Sequence, residues 1–143
     1  MHNNLPTFFL FIDTYDEQYI RNLDKKVAII YRNYSIKNER KLILKIKETC
    51  KKDGRKFFLS NNIRLAVNMS LDGAYLPSFN KNLDTKNFTK RKKFTIIGSA
   101  HSVQEIKIKE QQGVNAIFLA PLFKTKKNKK FLNTIRFNLM ALT

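Results

Sequence analysis

The stretch FTIIGSAHSVQEIKIKEQQGVNAIFL, Phe94 to Leu119, reads as a strand, a helix and a strand in direct succession. Phe94–Gly98 is a short apolar run of the kind buried in a parallel sheet. Ser102 is followed three residues later by Glu105, which is the pattern of a capping box, and a helix over Ser102–Gly113 ends at a glycine. Asn115–Leu119 is the second apolar run. A strand, a helix and a strand on this spacing form a right-handed βαβ unit of a parallel sheet.

Working outward, the same alternation covers the chain. Further apolar runs bounded by turn signals lie at Phe8–Ile12, Val27–Tyr31, Lys56–Ser60 and Gly73–Pro77. Helical patterns fall between them. Asp16–Leu23 is short. Ile36–Lys52 is the clearest, with Leu42, Ile43, Ile46 and Cys50 on one face, Ser35 as its cap and Gly54 after its end. Asn61–Ser70 is a short helix, and Lys81–Lys93 is polar and reads as a short helix plus loop. Phe131–Leu142 places Leu132, Ile135, Leu139 and Leu142 at helical spacing. The repeat of about 20 to 25 residues suits a (β/α)8 barrel and is too short for a Rossmann half. Neither GxGxxG nor a P-loop occurs. The fold class is therefore α/β: a partial TIM (β/α) barrel of about six βα units, its parallel sheet left open, in a single domain over residues 1–143.

The 143 residues carry a net charge of +17, with 28 Lys and Arg against 11 Asp and Glu. Such a balance suits nucleic acid, an acidic membrane surface or an anionic small molecule. Lysines outnumber arginines 21 to 7, and Asn, Ile and Phe are abundant beside them, the usage that AT-rich codons produce. Much of the charge then lies on solvated faces, and a phosphate-bearing small molecule is favoured over nucleic acid. The runs Lys90–Lys93 and Lys124–Lys130 read as basic loops. No window reaches the roughly 18 apolar residues that span a bilayer, and the apolar start Phe8–Ile12 lacks a signal-peptide flank. The lone Cys50 allows no internal disulfide, so a cytoplasmic setting is expected. No Ser–His–Asp set and no zinc spacing is present.

Three motifs resemble thiamine phosphate synthase and its TenI-type relatives. Leu71-Asp72-Gly73-Ala74-Tyr75-Leu76 resembles that family's Ala-Asp-Gly-Val-His-Leu at strand four. Ile97-Gly98-Ser99-Ala100-His101-Ser102 resembles its Gly-Val-Ser-Ala-His-Ser. Gln112-Gly113-Val114-Asn115-Ala116-Ile117-Phe118-Leu119-Ala120-Pro121-Leu122-Phe123-Lys124-Thr125 parallels its Gly-Ala-Asp-Tyr-Val-Gly-Leu-Gly-Pro-Ile-Phe-Pro-Thr. The resemblance implies a TIM barrel that joins a pyrimidine pyrophosphate to a thiazole phosphate with Mg2+ on the pyrophosphate. TenI-type members keep the barrel and perform reactions such as thiazole tautomerisation.

The resemblance also implies site residues, which in such barrels sit at strand C-terminal ends. Arg32 matches the arginine of the family's Gln-x-Arg-x-Lys, although Ile30 and Tyr34 replace its neighbours. Its fork suits a phosphate. Ser60-Asn61 stands where the family has Asn-Asp, and Ser78-Phe79-Asn80 where it has Gln-Glu-Asp. The two family metal-binding aspartates are thus Asn61 and Asn80, amides that suit a hard cation poorly, and no metal ligand is assigned. Ser99 and His101 match the serine and histidine after strand five and are the catalytic candidates, with Ser99 at an anion site. Thr125 and Lys127 fall in the family's Thr-x-Thr-Lys, where Asn128 has replaced the lysine. Arg32, Ser60, Asn61, Asn80, Ser99, Thr125 and Lys127 are the expected substrate- and phosphate-binding set. Cys50 reads as a buried structural thiol and Asp72 as a turn residue.

The chain ends at Thr143, inside the sixth unit, so the expectation is a family domain without its last two βα units. A homo-oligomer or a complementing chain would then cover the sheet edges. The functional expectation is a protein of thiamine biosynthesis or salvage that binds a pyrimidine pyrophosphate or thiazole phosphate, with catalysis weakened or lost. If active, it is a synthase-type transferase or a TenI-type tautomerase. A non-catalytic ligand-binding subunit and a basic nucleic-acid-binding module are the alternatives.

Overall fold

Strands and helices follow one another along the described residues: β1 (Phe8–Ile12), α1 (Glu17–Asn22), β2 (Val27–Tyr31), α2 (Arg40–Lys52), β3 (Phe57–Ser60), α3 (Ile63–Asn68), β4 (Gly73–Leu76), β5 (Thr95–Ala100), α4 (Val103–Gln111), β6 (Ala116–Leu119) and α5 (Asn133–Ala141). The computed structural model describes residues 5–35, 40–87, 93–124 and 131–141. The strands form one sheet in the order β1-β2-β3-β4-β5-β6. Sequential order with parallel pairing and a helix in the crossovers is the topology of a singly wound (β/α) barrel. The α/β class and the six parallel strands expected from the sequence are therefore present, and among the described residues an α-helix follows every strand except β4, which is followed by a 3-10 turn. Among the described residues no helix is long and apolar enough to cross a membrane.

The described residues gather into two compact units, one running to Tyr75 and taking in Thr95, the other made of Leu76–Asn87 and the residues from Ile96 on. In the first, β1 pairs with β2 from Phe8↔Val27 to Ile12↔Tyr31, β2 with β3 through Ile29↔Phe57, and β3 with β4 through Phe58↔Gly73. Ala28, Ile29 and Ile30 are buried in succession, as the middle of a parallel sheet demands. Helix α2 sets Ile43, Ile46 and Cys50 into this core. Burial pushes the Cys50 thiol up to about 12, which makes it an inert packing group. The expected start of this helix at residues 36–39 lies outside the described residues.

Two polar devices fasten the first unit. Arg55 is buried, and its guanidinium donates to the carbonyls of Ile20, Leu23, Asp24 and Val27 at 2.6–3.1 Å. It thereby satisfies the open end of α1 and the entry to β2. Asp72 is more than a turn residue. Its carboxylate accepts from the Phe57 N–H at 3.0 Å and pairs with the Lys56 ammonium at 2.9 Å, which ties the start of β3 to the start of β4. Gly73 follows because a Cβ there would lie 2.0 Å from the Thr95 carbonyl oxygen and 2.6 Å from the Phe58 ring.

In the second unit, β5 pairs with β6 from Ile97↔Ala116 to Ala100↔Leu119. Asn115 repeats the device of Asp72: its side-chain oxygen accepts from the Ile96 N–H at 2.8 Å. Ala100, Ile106, Leu132 and Met140 form a core against which Ile117, Leu119 and Phe137 pack.

Beyond shifts of one or two residues at element ends, three details refine the sequence reading. The β5 strand runs on through Ser99 and Ala100, because both are buried between paired neighbours. The short helix expected in Lys81–Lys93 is, in the described part, a single 3-10 turn, Asp84–Lys86, with loop before it. In α5 the exposed side chains are Ile135 and Leu139, while Met140 is buried and Phe137 half-buried. Of the residues at helical spacing, Leu132 is buried in the core while Ile135 and Leu139 face outward, and Leu142 lies outside the described residues.

Candidate functional site

In the first unit, three of the expected residues stand at the C-terminal ends of strands. Arg32 is the first residue after β2, held by a backbone N–H bond to the Ile12 carbonyl at 2.8 Å. Its side chain is exposed, and its guanidinium carbon lies 4.7 Å from the centre of the Phe11 ring. Phe11 in turn meets Tyr75 edge to face at 5.0 Å. A guanidinium held over a ring has fewer rotamers left to lose on binding, a suitable arrangement for gripping an anion.

Ser60 ends β3 and is nearly buried, and its hydroxyl shares a hydrogen bond of 3.1 Å with the Tyr34 hydroxyl. Tyr34 occupies the position where the resemblance has a lysine. The next residue, Asn61, has φ +61° and donates its backbone N–H to the Tyr75 carbonyl at 2.8 Å. Asparagine tolerates this left-handed conformation better than other non-glycine residues. It turns the chain sharply so that Asn62 can cap α3, its side-chain oxygen accepting from the Leu65 N–H at 3.0 Å. Arg32, Ser60 with Tyr34, and Asn61 therefore share the strand ends of β2 and β3.

In the second unit, Ser99 lies within β5 and is 6% exposed. His101 is exposed, directly after the strand. Its backbone N–H donates to the Glu105 carboxylate at 2.6 Å, while the Ser102 hydroxyl accepts from the Glu105 N–H at 3.3 Å, which completes the predicted capping box one residue wider than its usual form. The His101 Nδ1 bonds the Ala120 carbonyl. A carbonyl only accepts, so this contact is made with a proton on Nδ1.

Asn80 follows β4 in a loop stapled by its own side chains. The Asn80 side-chain oxygen accepts from the Asn82 N–H at 2.9 Å and from the Gln112 amide at 3.3 Å. Its backbone carbonyl accepts from Lys109 at 2.7 Å and from Gln112 at 3.0 Å. Lys109 and Gln112 are both fully buried, and sequence reasoning missed them. A lysine in a helix whose neighbours are Lys107 and Glu110 carries no signal of burial; the only hint was Gly98, a residue without a side chain on the strand beneath. Thr125 and Lys127 lie outside the described residues.

A divalent cation does not fit these donors. The two positions that would supply carboxylates carry amides, and the Asn80 oxygen is engaged in its loop. Among the described residues no group of three or more His, Cys, Asp or Glu could hold a metal ion.

Comparison with known proteins agrees with this architecture. The fold is similar to that of thiamine phosphate pyrophosphorylase from Pyrococcus furiosus, with a TM-score of 0.73 over 99% of this chain and 72% of that one, at 16% identity. No curated protein matches by sequence. The family model for thiamine monophosphate synthase matches residues 17–141, from the first helix to the last. A match along nearly the whole alternation of strands and helices places the chain in a family: it belongs to the thiamine monophosphate synthase family.

Proposed function

We propose that this chain is a cytoplasmic protein of thiamine metabolism that binds a phosphorylated pyrimidine or thiazole at its strand ends, with magnesium-dependent transfer weakened or lost. The observation that carries this reading is the pair Asn61 and Asn80, amides at the two positions where the family resemblance puts metal-binding carboxylates. A neutral amide offers Mg2+ one weak oxygen in place of a charged one. Anion recognition, by contrast, needs donors, and these remain. Arg32 offers an exposed guanidinium, and Ser60 and Tyr34 offer hydroxyls in the first unit. Ser99, at the end of β5, offers a further hydroxyl in the second.

TenI-type tautomerisation is the second reading. It moves a proton and requires no metal, and His101, exposed directly after β5, stands at the strand end where a proton carrier meets a ligand.

Thermal melting of the purified chain with thiazole phosphate, pyrimidine pyrophosphate and thiamine phosphate, each with and without Mg2+, tests the proposal. A ligand present at about 100 times its Kd adds about 2.7 kcal/mol, a rise of several degrees for a chain of this size. The expected result is a rise with at least one phosphate ligand that Mg2+ leaves unchanged. A rise that requires Mg2+, or formation of thiamine phosphate from the two substrates, overturns the loss of metal chemistry. No rise with any ligand overturns binding.

A further inference from the structure

Lys109 presents an unusual electrostatic arrangement. Its side chain is fully buried, yet none of its bonds goes to a carboxylate. Its three ammonium protons meet three neutral oxygens: the carbonyls of Pro77 at 2.8 Å and Asn80 at 2.7 Å, and the side-chain oxygen of Gln112 at 2.9 Å. An ammonium removed from water is costly unless all its donors are used. Here they are, and the desolvation still holds the Lys109 pKa below the ordinary lysine value, with Glu105 opposing the shift.

Two of the oxygens it gathers, those of Pro77 and Asn80, belong to one loop, and the third is the Gln112 side chain at the end of Lys109's own helix. Gln112, oriented by Lys109, donates to the carbonyls of Asn80 at 3.0 Å and Asn82 at 2.8 Å. The Thr85 hydroxyl closes the far side by donating to the Gln112 carbonyl at 2.6 Å. Within the loop, the Asn80 N–H bonds the Pro77 carbonyl at 3.0 Å, Asn82 the Asn80 side chain at 2.9 Å, and Asp84 the Asn82 side chain at 2.9 Å. Carbonyl and amide oxygens converging on one buried positive charge are how loops wrap a bound cation. In this chain the cation is covalently attached.

We propose that Lys109 is a positioning residue, an internal cation that fixes the loop after β4 and with it Asn80, so that this loop takes its shape from the chain's own ammonium and needs no divalent cation. The inference goes beyond the ligand-binding reading and does not depend on it.

Amide hydrogen exchange followed by NMR on Lys109→Met tests this. The substitution keeps an unbranched stem and removes the ammonium. Losing hydrogen bonds from a charged donor should speed exchange at the Asn80, Asn82 and Asp84 amides by about tenfold or more, with the amides of β3 nearly unchanged. Lys109→Arg, which restores a cationic donor, should recover most of the protection. A uniform change along the chain, unchanged loop amides, or no rescue by Arg overturns the positioning role. Should the Met variant not fold, the unmodified chain still decides the matter by titration with magnesium chloride. Loop amides 78–84 that stay in place at millimolar magnesium are expected. Saturable shifts confined to those amides overturn the proposal. Neither readout needs a rim ligand, so failure to bind thiazole or pyrimidine phosphates would leave both interpretable.

Discussion

Lys109 lies across the bare backbone of Gly98: a Cβ added to that glycine would sit 2.8 Å from Lys109 Cδ and 3.2 Å from its Cγ. The ammonium beyond those carbons is anchored at three points, so the stem cannot swing aside. Gly98→Ala should therefore destabilise the chain by about 1–3 kcal/mol, the usual cost of overpacking. Urea unfolding of Gly98→Ala, Lys109→Met and the double variant will show it. The alanine should cost less once the methionine stem is free to move, a coupling that distant sites do not give.

Asn61 separates backbone demands from ligand demands. At φ +61° it should accept glycine with a change within about 0.5 kcal/mol, while Asn61→Val should lose about 1–2 kcal/mol. Asn61→Asp keeps the turn and adds one carboxylate. Its melting temperature with pyrimidine pyrophosphate should acquire a dependence on Mg2+ that the parent lacks. A dependence already present in the parent would contradict the reading of the amides.

Arg55 supports four carbonyls from inside the first unit. Arg55→Met leaves them without donors in a buried place, and the expected loss is about 3 kcal/mol in chemical denaturation. Arg55→Lys should recover part of it, since three donors cannot serve four acceptors.

Cys50 should resist alkylation. The thiol is 1% exposed and pushed up to about 12, so at pH 8 little thiolate forms and none is accessible. Labelling with iodoacetamide followed by mass spectrometry should find it unmodified in the folded chain and rapidly modified in denaturant. Fast labelling of the native chain would place the thiol elsewhere.

The strands were legible because each is an apolar run bounded by turn residues, and burial on both faces leaves such runs unbroken, as Ala28–Ile30 shows. The limits of β5 were harder to read. Ser99 and Ala100 are a small polar and a small apolar residue, and only pairing with Phe118 and Leu119 makes them strand. Arg32, Ser60, Asn61, Asn80, Ser99 and His101 could be placed at strand ends by motif. What Asn80 does there could not, because its partner Lys109 lies 29 residues away and looks like any solvent-facing lysine. Arg55 was hidden for the same reason. A charged residue declares its sign in a sequence but not the number of carbonyls it will meet, and in a chain of +17 the two that matter most to the interior are lost among the others.

Asp72 and Asn115 bear on how such a chain can change over time. Each stands just ahead of a strand and caps an amide at the start of the strand before it, Asp72 the first of β3 at Phe57 and Asn115 the second of β5 at Ile96. Register is thus set at strand beginnings, away from the strand endings where the candidate ligand groups lie. Drift can exchange an acid for an amide at one end of a strand while the alignment of the sheet is guarded at the other, which leaves the architecture readable after its chemistry has moved on.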